Sequence, residues 1–494
     1  MTRTRFVFSS LLLAMLAIHG GAEEEPGARS KVAGHVPEQN RQAQRAPAPA
    51  DSATPSSTSW WTPGDERVLA PLAAYGNSFG TLGILNTGGP VVTAGHPFFE
   101  PIGKNGRACV TCHQPANSMS LSVEMIRRRW EDTRGKDPLF APVDGMNCPH
   151  LPADDPKSHS LLLDRGLFRI FLPWPPKAAD GTRIDPEFTL EVVRDPTGCN
   201  THPVYGLASA NPMLSVYRRP RPAANLRYVT HQKFGVFAFI GKNGLPASRD
   251  PETGAPSGMN LLSDARQPTL KTQAVEAAVT HLQFDGPLDD ERLRQITDFE
   301  KQLYAAQMTV DAAADARNRA RESIARGHDV FMFRTFWIRD AMHLNTVGLG
   351  NPTKRTCATC HGMHMMGMDV ANGWMDIGTT NLPHAREEPL NPWNARKPEL
   401  PLFKVTCKSS VPPHPFLGRV IYTQDPGRAL ISGKCNDVGT IVMQQLRGLS
   451  ARAPYFSNGA AESLREMIDF YDRRFDIGFT EREREDLVNF LSAL

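Results

Sequence analysis

Charge of either sign is in short supply in this chain of 494 residues: 55 lysines and arginines face 52 aspartates and glutamates, a net charge of +3. That balance gives no electrostatic footprint for nucleic acid or an anionic membrane surface. Clusters such as Arg127-Arg128-Arg129 and Arg218-Arg219 read as solvated faces. Beyond the N-terminus no apolar run is long enough to cross a bilayer, so no membrane span is expected. Cysteine is also scarce, eight in all, so a pattern that uses half of them is informative.

Such a pattern is present. Cys109-Val110-Thr111-Cys112-His113 is repeated as Cys357-Ala358-Thr359-Cys360-His361. C-x-x-C-H is the attachment signature of c-type haem. Two thiols three residues apart on one turn reach the two vinyl groups of a porphyrin, and the adjacent histidine becomes the proximal iron ligand. Two covalently bound c-type haems are therefore expected, on Cys109, Cys112 and His113 and on Cys357, Cys360 and His361. A zinc ribbon built from the two pairs and two thioredoxin-like dithiols are the competing readings. A ribbon would place its pairs closer together, and neither needs a histidine after each second cysteine.

Met1 to Ala22 reads as a signal peptide. Arg3 and Arg5 precede a mostly apolar run, Val7 to Ile18, too short to span a bilayer, and Gly20-Gly21-Ala22 offers small residues for cleavage. Residues 23–59, rich in Pro, Ala, Gln and Ser, read as a disordered linker. Export to the periplasm agrees with the haem motifs, because c-type haem is attached outside the bacterial cytoplasm. The remainder is expected to form two haem domains, residues 60–310 and 311–494.

The other cysteines, Cys148, Cys199, Cys407 and Cys435, allow three disulfide connectivities in an oxidising compartment. Cys148–Cys199 with Cys407–Cys435 is preferred, since each then closes within one half. The halves read as a diverged repeat in which Gly95-His96-Pro97-Phe98-Phe99 and Gly327-His328-Asp329-Val330-Phe331 lead into the two motifs like the first helix of a small cytochrome c domain. Pro138 to Gly258 reads as long irregular loops. Asp289 to Ala306 has a helical period whose apolar stripe, Leu293, Ile296, Phe299 and Leu303, reads as core. Ser463–Glu466 and Thr480–Glu483 read as capping boxes before the last two helices, the second burying Leu487, Phe490, Leu491 and Leu494 against the first helix of its half. The expected fold is mostly α, two cytochrome c-like haem domains with long irregular loops.

With the two motifs, the tail from Leu446-Arg447-Gly448 through Ala453-Pro454-Tyr455-Phe456-Ser457-Asn458-Gly459 to Tyr471 resembles the bacterial di-haem cytochrome c peroxidases. Their superfamily also holds a di-haem maturase of a tryptophan-derived quinone cofactor and the rubber oxygenases, so the resemblance carries haem chemistry further than substrate. It implies an N-terminal haem reacting with hydrogen peroxide or dioxygen, and a C-terminal haem relaying electrons from a small donor protein such as a mono-haem cytochrome or cupredoxin. It also implies a homodimer and a calcium ion between the haems, although no acidic loop here specifies calcium. A di-haem electron carrier without a substrate is the alternative; the long insertion between the motifs argues against it.

Some of the family's positions are altered. Its Trp-Asp-Gly-Arg segment matches Ser263-Asp264-Ala265-Arg266, or else Lys233–Phe237, neither with tryptophan. Its distal glutamine falls on Gln273 and its proton-moving glutamate on Gln283, an amide unable to act as an acid or base. His281, two residues earlier, is the candidate for that role, with an ordinary pKa of about 6.5. No histidine lies between His113 and His150, which favours an open N-terminal iron, with His150 and His159 as weaker caps. For the second haem the resemblance points to Met443 or Tyr455 as sixth ligand. The Met363–Met368 stretch is set aside because it follows His361 too closely to reach the other face of the ring.

Overall fold

The computed structural model describes residues 60–178, 180–230, 261–310, 314–341, 350–361, 374–380 and 399–494. The signal and linker segments, Lys233–Phe237 and Met363–Met368 lie outside them. The elements that matter below, in chain order, are β1 (Leu72–Asn77), β2 (Gly80–Asn86), β3 (Phe168–Pro173), β4 (Phe188–Arg194), β5 (Met213–Arg218), α1 (Leu270–His281), α2 (Asp290–Gln302), β6 (Leu303–Val310), α3 (Ala314–Phe333), β7 (Leu402–Cys407), β8 (Val420–Thr423), α4 (Leu464–Phe475) and α5 (Glu481–Ser492).

The fold is not mostly α. Among the described residues helices hold 31% and strands 21%, in several small sheets. The stretch expected as irregular loops carries β3, β4 and β5. β4 pairs antiparallel with β7, placing Leu190 opposite Val405 and Phe188 opposite Cys407, and β8 completes that sheet on the far side of β7. β3 pairs with β5. Phe188, Leu214, Val216, Phe403 and Val405 are buried beneath these ladders. Cys148–Cys199 and Cys407–Cys435 are the disulfide pairs, with Cα–Cα separations of 5.3 and 5.8 Å.

A third sheet draws two strands from before the first C-x-x-C-H motif and one from after it. β2 lies between β1 and β6 in an antiparallel ladder. The segment from Gly95 to Phe99 is therefore turn rather than helix, whereas its counterpart from Gly327 to Phe331 lies within α3 as expected. Helix α2 stops at Gln302, short of the expected Ala306, because the chain turns extended at Leu303 (φ −87°, ψ 130°) to ladder along β2. A ladder available on an open strand outweighs a residual helical period. In α5 Leu487, Phe490 and Leu491 are buried and Leu494 is half-buried. That helix crosses α3 closely at Gly327, where a Cβ would fall on the Asp486 carbonyl. Thr480 and Glu483 form a reciprocal capping box. Ser463 caps only one way: Glu466 turns back instead to the backbone N–H of Glu462.

The repeat is clearest in the geometry that follows each motif. A bridge between Leu261 and Gln267 precedes α1, and one between Tyr455 and Ala461 precedes α4. Leu262 and Phe456 hold matching positive φ values, 70° and 65°. The caps Thr269 and Ser463 share φ −135° and ψ 161°. Asp289 and Thr480 then cap α2 and α5 with nearly identical backbone angles. Gln273, Ala274, Ala277 and His281 of α1 thus correspond to Met467, Ile468, Tyr471 and Phe475 of α4. Ile296, Phe299 and Glu300 of α2 correspond to Leu487, Phe490 and Leu491 of α5.

Candidate functional site

Each C-x-x-C-H segment closes one turn. The Thr111 hydroxyl accepts from the Ala108 N–H at 3.0 Å and the Thr359 hydroxyl from the Thr356 N–H at 3.3 Å. The threonine shared by the two motifs is therefore a cap, which sets both cysteines on one turn. The His113 and His361 N–H groups return to the Cys109 and Cys357 carbonyls at 3.1 and 2.9 Å. Phe98 lies 6.3 Å from the His113 ring, and Phe331 lies 6.4 Å from the His361 ring.

The two motifs line two different cavities. Cys109, Cys112 and His113 line the first with Gln273 and His281; Cys357, Cys360 and His361 line the second with Met443 and Tyr455. One tetrahedral zinc site from both cysteine pairs is thereby ruled out. The four thiols are outside disulfides. Burial pushes all four upward, Cys112 and Cys357 to about 12 and Cys360 to about 11, which opposes a thiolate-based redox role. Burial also lowers both histidines, His361 to about 4, so each ring is neutral, the form that binds a metal. His113 Nδ1 donates to the Met119 carbonyl at 3.0 Å, leaving Nε2 as the bare acceptor. His361 Nδ1 is buried without a partner among the described residues.

The cavities share a wall, on which Arg219 and Pro220 face both. The solvated Arg218-Arg219 face expected from sequence is instead buried. Arg218 is locked between Asp425 and Asp264. Arg219 donates to the carbonyls of Leu121, Arg165 and Arg452 at 2.6–2.9 Å, and Arg221 to those of Val442 and Met443 at 3.0 and 2.8 Å. Arg452 donates to Gln445, while its buried Nε has no partner among the described residues. Burial pulls Arg219 down to about 9 and Arg221 and Arg452 to about 10. Among the described residues none of these three meets a carboxylate. Paired thiols, a neutral histidine and buried guanidiniums lacking counter-charge together fit a porphyrin, which carries two propionates.

In the first cavity His281 is held from behind. Its Nδ1 lies 2.5 Å from Asp144 Oδ2, and the other Asp144 oxygen pairs with Arg107. Asp144 and Arg107 are each 1% exposed. Burial, the largest effect, would raise the carboxyl, but the charges and hydrogen bonds of Arg107 and His281 together outweigh it and Asp144 sits below its ordinary value. Arg107 also donates to Pro138 and Leu139 carbonyls at 2.6 and 2.7 Å. Gln283 is exposed, at φ 53°, and does not line the cavity. His159 is buried elsewhere with its ring nitrogens 2.8 and 3.0 Å from carbonyls of Gly145 and Ala153, and His150 stacks on His202. In the second cavity Tyr455 donates to the Leu449 carbonyl at 3.0 Å, and burial raises it to about 12.

Sequence reasoning missed Arg107, Asp144, Arg219, Arg221, Arg452 and Glu300. Only Glu300 left a trace: it interrupts an otherwise apolar helix face where the second half has Leu491.

No family model matches the chain. It is 33% identical over 81 residues to cytochrome-c peroxidase IdrP1 of Pseudomonas sp. (strain SCT), 14% of this chain and 21% of that relative. The chain thus matches about a fifth of that protein's length. Among solved structures it is similar to a MauG-like protein associated with microbial copper homeostasis (TM-score 0.30, 14% identity, 57% of this chain, 76% of that one). It is similar also to hydrazine synthase of Kuenenia stuttgartiensis (TM-score 0.29, 16% identity, 56% and 73%). Likenesses this low carry no argument about the fold.

Proposed function

We propose that this chain is an exported di-haem c-type oxidoreductase akin to the bacterial di-haem cytochrome c peroxidases. Cys109, Cys112 and His113 hold one haem, and Cys357, Cys360 and His361 the other. Bound there, haem supplies an iron able to take peroxide or dioxygen and a one-electron couple. Peroxide is preferred, on the likeness to a cytochrome-c peroxidase, and the first cavity is assigned the reaction. The observation that carries this assignment is α1 against α4. Gln273, Ala274, Ala277 and His281 give one cavity a polar wall, where Met467, Ile468, Tyr471 and Phe475 line the other with mostly apolar side chains.

Within the first cavity the Gln273 amide offers a donor and an acceptor. His281 exchanges a proton through Nε2 while Asp144 fixes its tautomer through Nδ1, and Arg107 keeps Asp144 ionised. The apolar second cavity suits an electron relay supplied by a small cytochrome or cupredoxin, with Met443 or Tyr455 as the sixth ligand. The N-terminal Arg3, Arg5 and apolar run support periplasmic export. Among the described residues no helix is long and apolar enough to cross a membrane. Nor does any group of three or more His, Cys, Asp or Glu side chains suited to a metal occur among them.

The test is electron paramagnetic resonance of the ferric protein before and after one equivalent of peroxide, then of the half-reduced protein. A high-spin signal that peroxide removes is expected. Two low-spin signals, unmoved by peroxide even after half-reduction, would leave the electron-carrier reading.

A further inference from the structure

Glu300 is a carboxyl group where the repeat calls for a hydrocarbon. It sits in the last turn of α2, lines the first cavity and is 6% exposed. Its Oε2 is buried with no hydrogen-bond partner among the described residues. Leu491, its counterpart, lines the second cavity. An unpaired buried carboxylate costs several kcal/mol, so a position like this keeps its proton or is replaced.

The charges around it leave Glu300 unpaired. Arg107 is committed to Asp144, Arg218 to Asp264 and Asp425, and Arg266 to Asp264 and Glu276. Arg219 and Arg221 are held by backbone carbonyls. Lys301, the next residue, leans on Asp298 at the surface. The remaining titratable groups that share the cavity with it are His281 and His113, the latter kept neutral by burial; Cys109, once it carries haem, has no thiol to titrate. Burial raises the carboxyl to about 8, with Lys301 opposing weakly. A group poised near working pH exchanges protons most efficiently.

We propose that Glu300 is the proton-exchanging carboxyl of the first cavity, taking up a proton when an electron enters and releasing it to the reaction there. The inference rests on the reading that this cavity holds a haem. Once Glu300 has given its proton away, an entering electron makes the cavity more negative by one charge, and the carboxylate takes one proton from solvent to offset it. Reduction of hydrogen peroxide breaks the O–O bond, consumes two electrons from the donor protein and two protons, and yields two waters. Glu300 gives one proton at a time, becomes carboxylate and is reloaded from water.

The experiment is a spectroelectrochemical titration of the full-length holoprotein between about pH 6 and 10, with reduced-minus-oxidised infrared spectra. The N-terminal haem's midpoint potential is expected to fall with rising pH, approaching about 59 mV per pH unit for one proton per electron, as a tenfold step of a one-electron couple requires. The C-terminal haem's is expected to stay flat. Glu300→Gln is expected to flatten the slope and remove a deuterium-sensitive carboxyl band, and Glu300→Asp to restore both. Glu300→Leu, which copies the second half, provides a folded control should the amide variant be unstable. A slope and band that persist in Glu300→Gln or Glu300→Leu overturn the inference while leaving the haem assignment intact. A missing haem on the Cys109–Cys112 peptide by mass spectrometry overturns both.

Discussion

The two halves of this molecule build nearly the same walls and then line them with opposite chemistry. Both set a cysteine pair and a histidine on one threonine-capped turn. Both place a phenylalanine beside that histidine, and both follow a positive-φ bridge with a capped helix. Where the helices meet the cavities they diverge. One presents Gln273, two alanines and His281, with Glu300 from the next helix; the other presents Met467, Ile468, Tyr471, Phe475 and Leu491. A shared backbone frame fixes where a prosthetic group can sit, and a handful of side chains decides whether anything else fits beside it. The polar cavity carries the cost of buried polar groups, which function explains better than stability.

The strongest way to break the contrast is to make α1 resemble α4. Ala277→Tyr with His281→Phe is expected to retain both haems by mass. Its reaction with peroxide, followed by stopped-flow, should fall by roughly 10²–10⁴-fold, the usual worth of a positioned acid–base group. Next in size is Asp144→Ala, which leaves Arg107 buried without its counter-charge and should cost about 3–5 kcal/mol in denaturant unfolding. Because the folded-state pKa of Asp144 is depressed, its contribution is complete above the unfolded value of about 3.9. It is lost as pH falls through the lower folded value, so the cost of the variant should shrink on acidification below about pH 4.

The reverse exchange sharpens the comparison. Phe475→His puts the first half's polar residue into the apolar cavity, with no Asp144 behind it. A loss of about 1–3 kcal/mol is expected, measurable by thermal unfolding. The smallest effect is expected where the halves agree. Lys271 pairs with Asp290, and Arg465 with Glu481, at matching exposed positions between consecutive helices. Lys271→Ala and Arg465→Ala should each change stability by no more than about 1 kcal/mol, and less in high salt.

Local chemistry was readable and long-range geometry was not. Both C-x-x-C-H turns were legible because their spacing is fixed within one turn of backbone. The buried stripe of α2 and the faces of the last helices were legible too, since helical periodicity is a property of neighbouring residues, and the disulfide pairs because each closes within one half of the chain. The strands between Pro138 and Gly258 were not. β4 finds its partner in β7, in the other half of the chain, and a short strand set among proline-rich turns looks like loop when read alone. The end of α2 was misread because β2 offered its edge to Leu303.

By itself the amino-acid order determined that each cysteine pair and its histidine would sit on one turn, because those atoms are linked through a single turn of backbone. It also placed Gln273 and His281 on the face of α1 that lines the first cavity. Only the tertiary structure decided which carboxylate stands behind His281, that three arginines gather between the cavities, and that Glu300 stays unpaired. Those relations join residues distant in the chain, and each depends on burial and on the partners that packing supplies or withholds.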